Sequence, residues 1–380
     1  MKAIINAELV MRDHLIPEAM LLIEDGCIAD FGEMRGRSIP QGCEVLDAQG
    51  LYVGPGLIDI HSHAGDGRFF QDAPEIAARH HLRHGVTSIF PALYFSMDER
   101  QYLHSIGVIR AAMESGRCPN IAGLYMEGPY LNPKFGCDKE SNPWRGPVDP
   151  SRHLPIVQAA ADIAKVWALA PEREGILGFV RDVCRACPGT AFAVAHSEAT
   201  PQQVEALMPY GLRIGTHHTN ATGDLAKYPE CRGVCVDEAV NYNPDIFAEL
   251  ICDSRGIHVD PYMLRLVRRI KGDERIILIS DAYASDGPIP PGYDGVEDIN
   301  FDHTGEIAGS KLTLDVACRN MMKHTGASIV DAFRYAAGNP ARALNLLDRG
   351  EIAVGKRADL VVTDHKMHIK TVILKGEALQ

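Results

Sequence analysis

Along the middle of the chain, short apolar runs recur with polar, helix-patterned stretches between them. The runs at 57–62, 87–91, 121–126, 165–169, 191–195, 212–216, 248–252 and 275–280 are mostly apolar on both faces rather than alternating. That pattern predicts strands covered on both sides, as in a parallel sheet flanked by helices. Stretches 73–84, 97–115, 174–186, 201–209 and 261–271 carry apolar residues at helical spacing and separate several of those strands. Eight parallel strands with helical returns predict an α/β fold, a (β/α)8 TIM barrel. A doubly wound dinucleotide fold is the competing architecture. It fails because Gly54-Pro55-Gly56 lacks a third glycine and precedes its strand instead of following one, and no GxxxxGK[ST] loop occurs.

The two ends of the chain read differently. Near the start, short β-like runs at 3–6, 19–23 and 27–31 are broken by turn signals such as Asp25-Gly26 and Gly32. Near the finish, runs at 352–354, 359–362 and 370–374 are broken by Gly355-Lys356 and Gly376. Neither end alone can bury much, so residues 1–53 and 352–380 are expected to pair into one small β domain, a β-sandwich, leaving 54–351 as the barrel.

Composition narrows the function. The chain has 380 residues, is 46% hydrophobic and 23% charged, and carries a formal net charge of -12. A folded enzyme-sized protein fits these values, and nucleic acid is excluded as a partner of first choice because few phosphates could be neutralised. No apolar run approaches the roughly 20 residues that cross a bilayer, so no membrane partner is expected. Lys2, Glu8, Arg12 and Asp13 leave no room for a signal-peptide core, which puts the expected location in the cytoplasm. The ten cysteines are then expected as free thiols. Cys184-x-x-Cys187 with Cys231-x-x-x-Cys235 is set aside as a zinc site, since the first pair falls in a helical pattern.

Barrel active sites lie at the carboxyl ends of the strands, so the residue that closes each run carries the information. These are His61-Ser62-His63, Glu127, His196, His217 and Asp281, all of metal-ligand type. Singly, each has an ordinary reading: a core histidine, a turn acid, or, for Asp281, a helix cap. Together, four histidines and two carboxylates on one rim would be poorly satisfied without a cation. His217 is preferred to His218 because it continues its strand, and His218 should point to the wall or a neighbouring loop. His80, His81 and His84 sit on the first helix and are expected to face solvent. Imidazole and carboxylate without thiolate fit zinc, with iron or manganese as alternatives, and one or two ions per chain. Such an ion opens a route to hydrolysis at neutral pH, with Asp281 as the proton carrier.

The segment Gly54-Pro55-Gly56-Leu57-Ile58-Asp59-Ile60-His61-Ser62-His63 resembles the first-strand signature of the amidohydrolase superfamily, and Asp281 resembles its eighth-strand aspartate. Within it the likeness is to the N-acetylglucosamine-6-phosphate deacetylases. It is carried by Glu127-Gly128-Pro129-Tyr130-Leu131-Asn132-Pro133, Ala195-His196-Ser197, Thr216-His217-His218-Thr219-Asn220-Ala221, Gly256-Ile257-His258-Val259, Ser280-Asp281-Ala282, Ala308-Gly309-Ser310-Lys311-Leu312-Thr313 and Asn339-Pro340-Ala341-Arg342. The resemblance implies Glu127, His196 and His217 as metal ligands and Asp281 as catalytic acid/base. His61 and His63 match the pair that holds a second metal. Asn220, Ala221, His258, Ile307, Ala308 and Gly309 match substrate contacts. It also implies a homodimer in amino-sugar catabolism that releases acetate from a small-molecule N-acetyl amino sugar.

The chain departs from the family in its substrate loops. Thr222 replaces a methionine, and Tyr228-Pro229-Glu230-Cys231-Arg232-Gly233 puts Glu230 where a phosphate-binding arginine is expected, unless Arg232 serves in a shifted register. Gly136-Cys137-Asp138 stands for a Gly-x-His, and Asp253-Ser254-Arg255-Gly256 is longer than usual, with Arg255 as a candidate anion contact. Metal and acid positions are spared. The expected chemistry is therefore amide hydrolysis on an N-acetyl amino sugar. The alternatives are an unphosphorylated N-acyl or cyclic amide, or a barrel that serves only as a scaffold.

Overall fold

The computed structural model describes residues 1–137, 139–223, 227–285 and 287–379. Eight strands are numbered here along the barrel: β1 Leu57–Ser62, β2 Val86–Tyr94, β3 Leu124–Glu127, β4 Ala164–Leu169, β5 Ala191–Val194, β6 Leu212–Gly215, β7 Phe247–Ile251 and β8 Ile276–Ile279. They form one parallel sheet in sequence order. The two edges meet just past β8, where the Asp281 amide donates to the His61 carbonyl at 3.0 Å and His63 and Ala64 donate to the Ala282 carbonyl at 2.8 and 2.9 Å. The sheet thus closes into the barrel that the apolar runs predict.

Every residue of β1, β3, β5, β7 and β8 is buried, as strands with a core on each side require. One core lies between strands and helices and contains Trp167 and Phe179; the other lies inside the barrel and contains Val166, Ala168 and Ile277. Adjacent residues of β4 therefore serve opposite cores.

The surrounding helices are α1 Pro74–Arg83, α2 Glu99–Glu114, α3 Pro150–Ala160, α4 Ile176–Ala186, α5 Pro201–Glu205, α6 Val236–Tyr242, α7 Pro261–Lys271 and α8 Leu314–Thr325. Their starts follow local chemistry: Asp98 caps α2 in a box with Gln101, and Asp260 caps α7 ahead of Pro261. Helices α3, α6 and α8 were not legible in the pattern. Pro155 interrupts the first, the second has only 7 residues, and the third buries the polar Asp315 and Asn320.

Both chain ends enter one eight-stranded sheet, in which Tyr52–Pro55 pairs antiparallel with Leu360–Thr363. Ile4, Leu9, Leu21, Val53, Leu360 and Ile373 share its main buried face. Gly54-Pro55-Gly56 is where the chain leaves this sheet for β1. A Cβ on Gly54 would lie 2.4 Å from the Phe333 ring, and one on Gly56 would lie 2.1 Å from Thr87 Oγ1. Close packing, not phosphate binding, accounts for both glycines.

The expectation that His81 faces solvent is wrong. It lies four residues after Ala77 and three after Ala78 on the buried stripe of α1. Its Nε2 sits 2.8 Å from the Ala64 carbonyl and 3.2 Å from Ser62 Oγ, and burial lowers its pKa to about 4. His80 is half-buried, and His84 pairs with Asp315 at 3.2 Å. His218 is buried with Nε2 3.1 Å from Asn241 on α6, turned to the helical wall as its neighbour's orientation predicts.

Candidate active site

Glu127, the last residue of β3, is the centre of the rim. Its Oε2 faces His63 Nε2 at 3.3 Å and His61 Nε2 at 3.8 Å, both from the end of β1. Its Oε1 faces His196 Nε2 at 3.0 Å and His217 Nε2 at 3.2 Å, from just beyond β5 and β6. Asp281 follows β8, with Oδ1 at 3.3 Å from His63 Nε2 and 3.7 Å from His61 Nε2. All six side chains are buried. The six residues separated by up to 220 positions in the chain (281 − 61) are thereby brought to one point.

Unusual backbone aims three of them. His196, His217 and Asp281 have φ of 42, 29 and 47°, a left-handed region that costs a non-glycine residue about 1–3 kcal/mol. Asp281 is held there by neighbours: its carbonyl accepts the Ser310 amide at 2.8 Å, and a Cβ on Gly309 would strike that carbonyl at 2.5 Å. This gives Ala308-Gly309-Ser310 a structural role behind the aspartate.

The electrostatics follow from burial opposed by pairing. Burial pushes the Glu127 carboxyl up, but hydrogen bonds from His196, His217, His61 and His63 hold it well below the usual carboxylate range. Burial likewise opposes ionisation of Asp281, yet the charges of His61 and His63 keep it low. His63 is lifted to about 9 because Asp281 and Glu127 outweigh its desolvation. His61 and His217 are raised for the same reason, whereas burial wins at His196 and lowers it.

The donor set fits divalent metal. His196 Nε2 and His217 Nε2 face each other at 3.1 Å, and His61 Nε2 is buried without a hydrogen-bond partner. His61, His63 and Glu127 form one compact group of ligand atoms, and Glu127, His196 and His217 form another. The shared carboxylate suits one ion or a bridged pair.

Residues 52–379 match the amidohydrolase family. The chain belongs to that family. This amidohydrolase is 30% identical, over 97% of both chains, to the N-acetylgalactosamine-6-phosphate deacetylase of Escherichia coli O157:H7. It is 28% identical to the N-acetylglucosamine-6-phosphate deacetylase of Bos taurus, covering 97% of this chain and 93% of the bovine one. Among solved structures it is similar to N-acetyl-D-glucosamine-6-phosphate deacetylase from Mycobacterium smegmatis, at 27% identity and TM-score 0.81 over 100% of both chains. A mutant of that enzyme in complex with N-acetyl-D-glucosamine-6-phosphate aligns at 28% identity and TM-score 0.83, over 99% of this chain and 98% of the other.

Above this rim, the amidohydrolase has a cavity of about 350 Å³. Asn220, Ala221, His258, Ile307 and Gly309 line it, whereas Ala308 is buried and is not one of its walls. His258 Nδ1 lies 3.3 Å from Asp253 Oδ2, and its Nε2 has no partner among the described residues. Asp253 in turn accepts the backbone amides of Arg255, Ile257 and His258, so the histidine is held by its own loop.

Neither Arg232 nor Arg255 lines the cavity. Arg232 is exposed and bonds Glu238 at 2.6 Å, and Arg255 reaches the Asp294 and Gly295 carbonyls at 3.4 Å. Glu230 is exposed and also lies off the cavity wall, and Asp138 falls outside the described residues. The lining cations are instead Lys134 and Lys139, which the sequence reading did not single out. It also missed Glu249, the one carboxylate in the buried strand β7. A lone acid in an all-apolar run was the signal. The nine cysteines other than Cys137 are free thiols. Among the described residues, no helix is long and apolar enough to cross a membrane.

Proposed function

We propose that this amidohydrolase removes the acetyl group from an N-acetyl amino sugar, N-acetylglucosamine-6-phosphate or a close relative such as N-acetylgalactosamine-6-phosphate. The observation that carries this reading is the convergence of four imidazole Nε2 atoms on Glu127, with the Asp281 carboxylate beside them. Glu127, His196 and His217 would hold one divalent ion, and His61, His63 and Glu127 a second, with zinc as the first choice and iron or manganese as alternatives. When bound, such an ion supplies acidity to water and polarises an acyl oxygen. Asp281, kept ionised by its histidine neighbours, accepts the proton of the attacking water and returns it to the departing amine. The water oxygen joins the acyl carbon, the C–N bond breaks, and acetate and the free amino sugar result. His258, anchored by Asp253, offers Nε2 to the acyl oxygen. Asn220, Ala221, Ile307 and Gly309 would shape the sugar pocket.

A second reading, an unphosphorylated N-acetyl amino sugar, has one specific support. Among the described residues no arginine lines the cavity, and its two lysines already face carboxylates, Lys134 on Glu198 at 2.5 Å and Lys139 on Glu306 at 3.5 Å. Acetate release from N-acetylhexosamines with and without the 6-phosphate decides between them. A phosphorylated substrate favoured tenfold or more in kcat/KM supports the first reading, and equal rates support the second. No release from any of them by metal-loaded protein removes both. The homodimer implied by the family resemblance is part of this proposal, and light scattering of the purified chain tests it.

A further inference from the structure

Glu249 is fully buried near the middle of β7, and the chemistry above makes no use of it. Its Oε2 lies 3.4 Å from His61 Nδ1 and accepts the His217 amide at 3.3 Å; Oε1 has no partner. The four histidines of the rim differ in what holds their second nitrogen. His63 Nδ1 is 3.0 Å from the Ala92 carbonyl, whereas His196 Nδ1 and His217 Nδ1 have no partner among the described residues. Of the four, and among the described residues, only His61 has its Nδ1 set against a carboxylate. Its ring is also fixed from the side, stacked on Tyr125 with centroids 4.3 Å apart, while Tyr125 itself bonds Thr216 at 2.7 Å.

We propose that Glu249 is a positioning residue that builds the His61–His63 half of the centre, so that the chain takes up two divalent ions instead of one. The inference rests on the metal-dependent reading above. Two physical effects support it. A carboxylate that accepts the Nδ1–H of a ligating imidazole fixes its tautomer and raises the basicity of Nε2, and removing such a partner costs roughly 10–100-fold in metal affinity. Charge acts in the same direction. Among these buried side chains, Glu127 and Asp281 alone balance a single divalent ion, and a second would leave a buried excess of positive charge; a third carboxylate offsets part of it. By bonding the His217 amide, the same oxygen also links the β1 histidine to a ligand of the other ion.

The test is a zinc titration of the full chain against a competing chelator, on wild type, Glu249→Gln and Glu249→Asp, with the melting temperature of each metal-free protein as the control for folding. The expected result is two ions in wild type. In Glu249→Gln one ion should keep its affinity and the other should weaken about 10–100-fold. The Asp variant retains the charge but withdraws the oxygen from His61, so it should fall between the two. It is read in the same way if the Gln variant fails to fold. Two ions bound by both variants with wild-type affinities would overturn the proposal while leaving the metal-dependent reading intact. Wild type that takes up no divalent ion would overturn both.

Discussion

The two ends of the barrel solve the same backbone problem with different residues. At the carboxyl ends of β5, β6 and β8, the left-handed positions are His196, His217 and Asp281. At the amino ends, the residues that precede β2 and β6 are Gly85 and Gly211, with φ of 86 and 103° and no Cβ to strain. Charge is handled differently as well. Just before β8, Glu274 is bonded by Arg12 at 2.9 Å, by Arg334 at 3.3 Å and by Arg342, a network open to solvent. The rim leaves buried imidazole nitrogens without partners among the described residues. One end is arranged for stability, and the other holds strain and unsatisfied donors where a cation and a substrate would relieve them.

That contrast predicts that substitutions at the rim remove turnover and those at the base remove stability. The largest effect should come from Asp281→Asn, which keeps the shape and removes the proposed proton carrier. A loss of about 10²–10⁴-fold in kcat is expected, with the circular dichroism spectrum and metal content retained. Unchanged turnover of the best substrate would assign the proton to another group.

Acid should act next, through the histidines buried around the rim. Burial lowers His81 and His218 to about 4, against an ordinary value of 6.5. Below that ordinary value the unfolded chain binds protons that the folded chain refuses. Stability is therefore fully present above pH 6.5 and falls as the pH drops toward 4, by on the order of 3 kcal/mol for each histidine. Urea denaturation of the metal-free protein from pH 7 to pH 4.5 checks the slope, which should flatten in His218→Gln. The smallest effect is expected at the base. Glu274→Ala breaks partly exposed ion pairs and should cost about 1 kcal/mol in thermal unfolding, with kcat unaltered. A drop in kcat at constant stability would contradict the division between the ends.

The residues of the rim were readable because each stands at the end of an apolar run, and a parallel barrel collects such ends on one face. The strands β1 to β8 and most of the helices were readable for the same local reason: burial on both sides leaves an uninterrupted apolar signature, and a helix leaves its spacing. His81 was misjudged because its helix seemed to have a free face, whereas burial depends on what packs there. Glu249 escaped because its meaning lies in the 3.4 Å to His61, a residue 188 positions away. On the cavity wall Lys134 and Lys139 were likewise beyond reach, since they come from the stretch between β3 and α3, whose position no periodicity encodes, whereas Asn220, Ala221, His258, Ile307 and Gly309 were reached through the family resemblance. Sequence by itself determined which side chains end each strand, because side-chain period and burial are local properties of the chain. Only the closed barrel decided that four imidazoles share one carboxylate, that Arg232 stays outside the cavity and that Glu249 lies beneath His61. Those facts depend on the stagger between strands, and that stagger is fixed by the packing of the whole core.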